Sequence, residues 1–120
     1  MHELSIAYNL VEVAEKAAIE AKAIRVQAVY LRLGMLTGIV KDALLFGYDV
    51  AVQGTLLEGS QLVVEELPVI VYCAVCKTET ILPDIQHFRC SLCNTPTGDI
   101  RQGKELELAS LEVVDEAPDS

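Results

Sequence analysis

Cys73-Ala74-Val75-Cys76, then thirteen residues, then Cys90-Ser91-Leu92-Cys93: this stretch decides how the chain is read, because it holds every cysteine in the protein. Two residues between cysteines let one tight turn aim both sulfurs at a point. Two such turns facing each other make a tetrahedral cage of four thiolates, the donor set of structural zinc. The intervening residues are slightly fewer than the usual spacing of roughly fifteen to twenty, and they suffice for a two-stranded ribbon between the knuckles. Two other readings stay open on these residues alone: a pair of disulfides, or a redox Cys-x-x-Cys, which needs a βαβ context that this segment lacks. If the ion is zinc, four thiolates leave no open coordination position, and a closed site folds protein without catalysing.

A chain of 120 residues can enclose one modest core plus a metal-stapled excursion, and not two large independent domains. With 52% hydrophobic residues it reads as globular, not disordered. No apolar run approaches ~18 residues, and no basic segment leads into an apolar one, so neither a membrane helix nor a signal peptide is expected. Four cysteines spent on a metal fit a reducing compartment, and the expected location is the cytoplasm. The formal charge of −9 speaks against nucleic acid, and four thiolates on a divalent ion would make it more negative still. The balance is unfavourable locally too, with Lys77, Arg89 and Arg101 set against Glu79, Asp84 and Asp99. Phe88 is the lone aromatic there, too little for a stacking platform.

Leu4 to about Ala23 has the spacing of an amphipathic helix, with Leu10, Val11, Ala14, Ala17, Ala18 and Ala21 on one face. Val26 to Leu33 is a strand ended by Gly34; its apolar residues lie on both faces, as in a central or doubly covered strand. Leu36 to Val40 is a connection, and Lys41 to Val52 returns to helical spacing, with Gly47 a mild weakness. Gln61 to Leu67 is the next strand, Pro68 to Tyr72 leads into the first knuckle, and Thr78 to Leu82 forms a short ribbon strand turned by Pro83-Asp84. Asn94 suits the left-handed conformation that ends a knuckle. Glu105 to Val114 is a last strand whose apolar alternation shifts phase between Leu108 and Leu111, predicting a bulge near Ala109 and Ser110.

These elements make an α/β (α+β) fold, a small three-stranded mixed sheet with two helices and an inserted four-cysteine zinc ribbon. The expected division is residues 1–70 plus 103–116 as an α/β domain, 71–102 as the zinc ribbon, and 117–120 as a disordered acidic tail.

Chemistry other than structural zinc has few candidates, since the only histidines are His2 and His87 and no nucleophile-base pair or glycine-rich phosphate loop can be assembled. No enzyme is expected. The α-amine of Met1, the amide nitrogen of His2 and its imidazole Nδ1 can close adjacent five- and six-membered chelate rings around one ion, and Glu3 can add its amide nitrogen or its carboxylate. Nitrogen donors in a plane suit Ni(II) or Cu(II). The plainer alternative, a frayed and solvated terminal histidine, stays open on the residues alone.

Met1-His2-Glu3-Leu4-Ser5, a helix, a strand ending in Gly34, and paired Cys-x-x-Cys knuckles before Leu108-Ala109-Ser110-Leu111-Glu112 together resemble the HypA/HybF family of hydrogenase nickel-incorporation proteins over essentially the whole chain. The resemblance implies a nickel metallochaperone delivering labile Ni2+ to the large-subunit precursor of [NiFe] hydrogenase, in partnership with a HypB-type GTPase. It implies nickel binding at Met1, His2 and Glu3, and structural Zn2+ on Cys73, Cys76, Cys90 and Cys93. Some members carry a histidine near the zinc ligands, and His87 matches it as a second-shell or sensor residue. Where some relatives use an acidic residue at the start of the second helix, this chain has Lys41 and Asp42, which puts that side-chain ligand in doubt. The competing class is a zinc-ribbon module that docks protein or RNA without a second metal.

Overall fold

The computed structural model describes residues 2–115. Met1, and the acidic tail expected at 117–120, lie outside the described residues. The chain folds into two compact units. The first comprises residues up to Leu31, Ile39–Glu65 and the segment from Glu107; the second comprises Arg32–Gly38 and Glu66–Leu106.

In the first unit, helix α1 (Glu3–Glu20) buries Ala7, Leu10, Val11, Ala14 and Ala18, a stripe at helical spacing. It ends sooner than the periodicity suggests. Lys22 adopts φ 61° in the left-handed region and its amide donates to the Ile19 carbonyl (2.9 Å), so the chain enters strand β1 (Ala23–Gly34) at once. Ala21 thus falls beyond the helix and is exposed, Ala17 within it is exposed as well, and Ala7 joins the buried stripe. A single-turn 3₁₀ helix (Met35–Thr37) and Gly38, at φ 74°, lead to helix α2 (Lys41–Ala51) and then strand β2 (Gln61–Leu67).

Strand β1 is central in the order β2-β1-β6, where β6 is Leu106–Asp115. Hydrogen bonds from the Gly34 amide to the Glu105 carbonyl and from the Tyr30 hydroxyl to Glu112 show β6 running against β1. Val26, Val29 and Leu31 meet Leu62 of β2 and the helix residues Leu44, Tyr48 and Ala51 in one core. The buried Tyr48 hydroxyl is satisfied by Ser60 Oγ at 2.6 Å. Leu108, Leu111 and Val113 all pack on this core.

Gly47 is a contact and not a flaw. A Cβ there would stand 3.3 Å from both Ala7 Cβ and Leu4 Cα and 3.5 Å from the Glu3 carbonyl oxygen, so its bare backbone lets α2 press on the first turn of α1.

The second unit is a sheet in the order β4-β3-β5, with β3 (Ile70–Cys73) antiparallel to both β4 (Thr78–Ile81) and β5 (Ile100–Gln102). Val69, Val71 and Leu82 form its small core, with Leu36, Phe88 and Ile100 packed around them. Strand β5 has no period of its own in three residues and is not legible without the partner it pairs with. The pairing also differs from a ribbon strung between the knuckles: each knuckle is itself a hairpin turn. Cys73 pairs with Thr78 across the first, and an Arg89–Pro96 bridge brackets the second.

Gly34 meets Gly103 backbone to backbone in this unit: a Cβ on Gly34 would lie 2.1 Å from the Gly103 carbonyl oxygen and 2.7 Å from the Glu105 amide nitrogen. No side-chain rotation relieves a clash with backbone. Gly34→Ala is expected to lower the unfolding free energy by about 2–3 kcal/mol in a urea titration; a midpoint equal to wild type would show that the crossing opens freely.

Candidate metal centre and amino terminus

The four cysteine sulfurs all lie within 4.8 Å of one another. Cys73 Sγ is 3.6 Å from Cys93 Sγ and Cys90 Sγ is 3.9 Å from Cys76 Sγ. A disulfide bond would need about 2.05 Å, so the sulfurs are unbonded thiols. A tetrahedral cage with metal-sulfur bonds of about 2.3 Å has sulfur-sulfur edges of about 3.8 Å, which matches both separations. The cluster can hold a metal ion with all four donors used.

The two knuckles are built alike. In the first, the Lys77 amide donates to the Cys73 carbonyl (2.7 Å); in the second, the Asn94 amide donates to the Cys90 carbonyl (2.8 Å). Lys77 and Asn94 are both left-handed, at φ 56° and 62°. Asn94 is legible in the sequence because asparagine tolerates that region, whereas Lys77 carries no such signal. Amides of the turns also point at sulfur: that of Cys76 at Cys73 Sγ and that of Leu92 at Cys90 Sγ, each at 3.4 Å.

These donors and the crowding of sulfurs act in opposite directions. The hydroxyl of Thr95, 3.1 Å from Cys93 Sγ, together with the Thr95 amide, holds the Cys93 thiol down at about 6. The amides of Cys93 and Leu92 likewise lower Cys90. Cys76 is pushed up to about 12, first by Cys93, then by burial and the remaining sulfurs. Four like charges this close do not ionise together unless a cation joins them, so metal entry would expel the protons that Cys76 and its neighbours retain.

His87 is not part of the sulfur cluster. Its side chain is 68% exposed and its Nδ1 is 3.0 Å from Asp84 Oδ2. Asp84 is held below the usual carboxylate range by the Gln86 amide first and His87 second. Among the ribbon cations, Arg101 makes a fork on Asp99 (2.9 and 3.0 Å), lies 3.6 Å from Glu79 and covers the Tyr72 ring. Arg89 donates to the Asn94 carbonyl at 3.3 Å.

At the other sequence-predicted site, His2 is the N-cap residue of α1, exposed, with no side-chain capping bond. Its carbonyl accepts from the Ile6 amide at 3.1 Å. The amide of Glu3 opens the helix, where the first N–H groups have no partner within the helix. The Glu3 carboxylate reaches across to α2 and accepts the Val40 amide at 3.0 Å. That bond is the main reason its pKa is lowered. The N-cap of α2 is thus Val40, and the two candidate positions Lys41 and Asp42 form its first turn.

The model of the HypA family, described as hydrogenase/urease nickel incorporation and metallochaperone, matches residues 1–113. The hydrogenase maturation factor HypA of Roseiflexus sp. (strain RS-1) is 54% identical over 120 residues, covering 100% of this chain and 98% of the relative. That of Chloroflexus aggregans is 51% identical over 112 residues, 93% of this chain and 98% of its own. The solution structure of the Ni metallochaperone HypA from Helicobacter pylori shares the fold, with a TM-score of 0.67 at 23% identity over 97% of this chain and 100% of that one. A second solution structure of a HypA protein does so with a TM-score of 0.70 at 22% identity. The chain therefore belongs to the HypA family of hydrogenase nickel-incorporation metallochaperones.

Proposed function

We propose that this protein binds Ni(II) at its amino terminus and delivers it to the large-subunit precursor of [NiFe] hydrogenase, working in the cytoplasm with a HypB-type GTPase. The observation that carries the reading is the state of His2: exposed, just outside the helix, and making no side-chain cap. The imidazole and the amides of His2 and Glu3 can be given to a metal without breaking a helical hydrogen bond. With the Met1 amine they supply the planar nitrogen set that Ni(II) favours. Family membership supports nickel as the cargo.

The four cysteines are proposed to hold Zn2+ as a structural ion. Their separations fit the tetrahedral cage, and a site closed by four thiolates offers no position through which a cargo metal could be exchanged. His87, paired with Asp84 and solvated, is assigned outside the ligand set. A nucleic-acid role for the ribbon draws no support from the geometry, since Arg101 is spent on Asp99 and Glu79.

His2→Ala is expected to abolish nickel binding measured by calorimetry on untagged protein while leaving zinc content and melting temperature as in wild type. Extending the chain before Met1 should have the same effect by removing the free amine. One nickel bound per chain in either variant would sink the terminal chelate. For the ribbon, Cys73→Ala is expected to lose the zinc found by elemental analysis and to cost about 3 kcal/mol or more of stability; an unaltered melting curve would show that the ion is not structural.

A further inference from the structure

We propose that the Glu3 side chain serves the amino terminus as a positioning residue: its carboxylate, fastened to the Val40 amide at the start of α2, fixes where α1 begins and holds His2 outside the helix. This inference rests on the nickel reading above only for its consequence; the anchor itself is a property of the metal-free fold.

Three observations carry it. First, Val40 occupies the N-cap of α2 but has no side-chain oxygen and makes no capping bond, which places it among the poorest residues for that position. Its own amide is taken instead by Glu3 Oε2 at 3.0 Å, from a residue 37 positions earlier. The arrangement does in trans what the glutamate of a capping box does within one helix, and it brings a negative charge to the positive end of α2. Second, the same residue is gripped on its backbone. The Glu3 carbonyl and the Leu4 Cα stand over Gly47, two turns along α2, at distances that leave no room for a larger residue. The first turn of α1 is thus held at both its side chain and its main chain. Third, an unanchored helix end frays, and a frayed end would let His2 wander among many conformations, each of which must be ordered again when an ion binds. With Glu3 tied down, the His2 carbonyl is committed to the Ile6 amide and the residue keeps φ −88° and ψ 79°, a non-helical conformation that leaves its imidazole in solvent.

The two roles open to Glu3 compete for one carboxylate. As a nickel ligand it must leave the Val40 amide or share its charge with the ion; as an anchor it stays, and residue 3 contributes to the cargo site only through its backbone nitrogen.

The test is amide hydrogen exchange on the full-length protein, read at Val40 and Ile6 before and after addition of nickel sulfate, with Glu3→Ala and Glu3→Gln beside wild type. In the metal-free protein Glu3→Ala is expected to speed exchange at both amides by about tenfold or more. Glu3→Gln, which retains an acceptor oxygen without the charge, should fall between. Unchanged exchange at Ile6 in Glu3→Ala would overturn the anchor whatever nickel does. On nickel addition the Val40 amide of wild type should remain protected, and nickel affinity should fall by about tenfold in Glu3→Ala and by only about threefold in Glu3→Gln. Release of the Val40 amide by nickel, or equal losses of affinity in the two variants, would show the carboxylate moving onto the ion and overturn the positioning role. Wild type that binds no nickel would instead defeat the nickel reading, with the anchor still decided by the metal-free exchange.

Discussion

Four thiols gathered within 4.8 Å of one another set the terms for the second unit. Beyond them that unit has little to fold around: Val69, Val71 and Leu82 are its buried hydrophobic core, and three short strands its sheet. Each such side chain supplies roughly 2 kcal/mol on burial, against an ordering cost of about 1–2 kcal/mol for every residue of backbone. Small scaffolds in this position are held by a staple, and an ion bound where both hairpin turns converge would be that staple. The sulfurs also explain the strained residues around them. Left-handed Lys77 and Asn94 close each knuckle so that a backbone amide, and not a side chain, completes the turn. The crowding of the sulfurs and the donors around them pull in opposite directions, Cys93 being lowered by Thr95 and Cys76 raised by its neighbouring sulfurs.

What the sequence made legible were the features whose signal is local. Cys-x-x-Cys spacing states its own geometry, and it led to the cluster that the coordinates bring together. Helical spacing located α1 and α2, and the double-faced apolar pattern of Val26 to Leu33 marked the centre of the sheet. Features that depend on a distant partner stayed hidden. Gly47 looks like a weak point in a helix until Leu4 and Ala7 are placed over it, and Gly34 looks like a strand end until Gly103 crosses it. Lys22 and Lys77 reverse the chain in a conformation for which lysine has no preference, so nothing in their identity announced it. Ile100 to Gln102 is a strand only because Ile70 and Val71 offer an edge.

At the amino terminus the geometry adds what periodicity could not. On the residues alone a histidine at position 2 reads first as a frayed, solvated residue, with the ligand reading open beside it. Where the helix starts is compatible with the ligand reading proposed above. Because α1 opens at Glu3, the backbone amides of His2 and Glu3 are among the unspent N–H groups of a helix end, while the Glu3 carboxylate is engaged by the Val40 amide.

A carrier of metal must bind selectively and yet let go, and on the proposed reading the two regions of this chain would divide those demands by the kind of donor each uses. Thiolates closed around one ion, with their amide donors and turns locked to them, have no exchange position and suit permanence. A chelate at the proposed amino-terminal site would have the opposite character, since the exposed His2 would let it be displaced one nitrogen at a time. Openness alone would carry an entropic penalty, because a loose terminus must be ordered on every binding event. Fastening Glu3 to the Val40 amide removes much of that penalty without closing the site: the bond lies on the surface, between groups that solvent can reach, and it orders the residue next to the donors and not the donors themselves. The anchor would therefore raise affinity through preorganisation while leaving the ligand face of His2 free for a partner to approach.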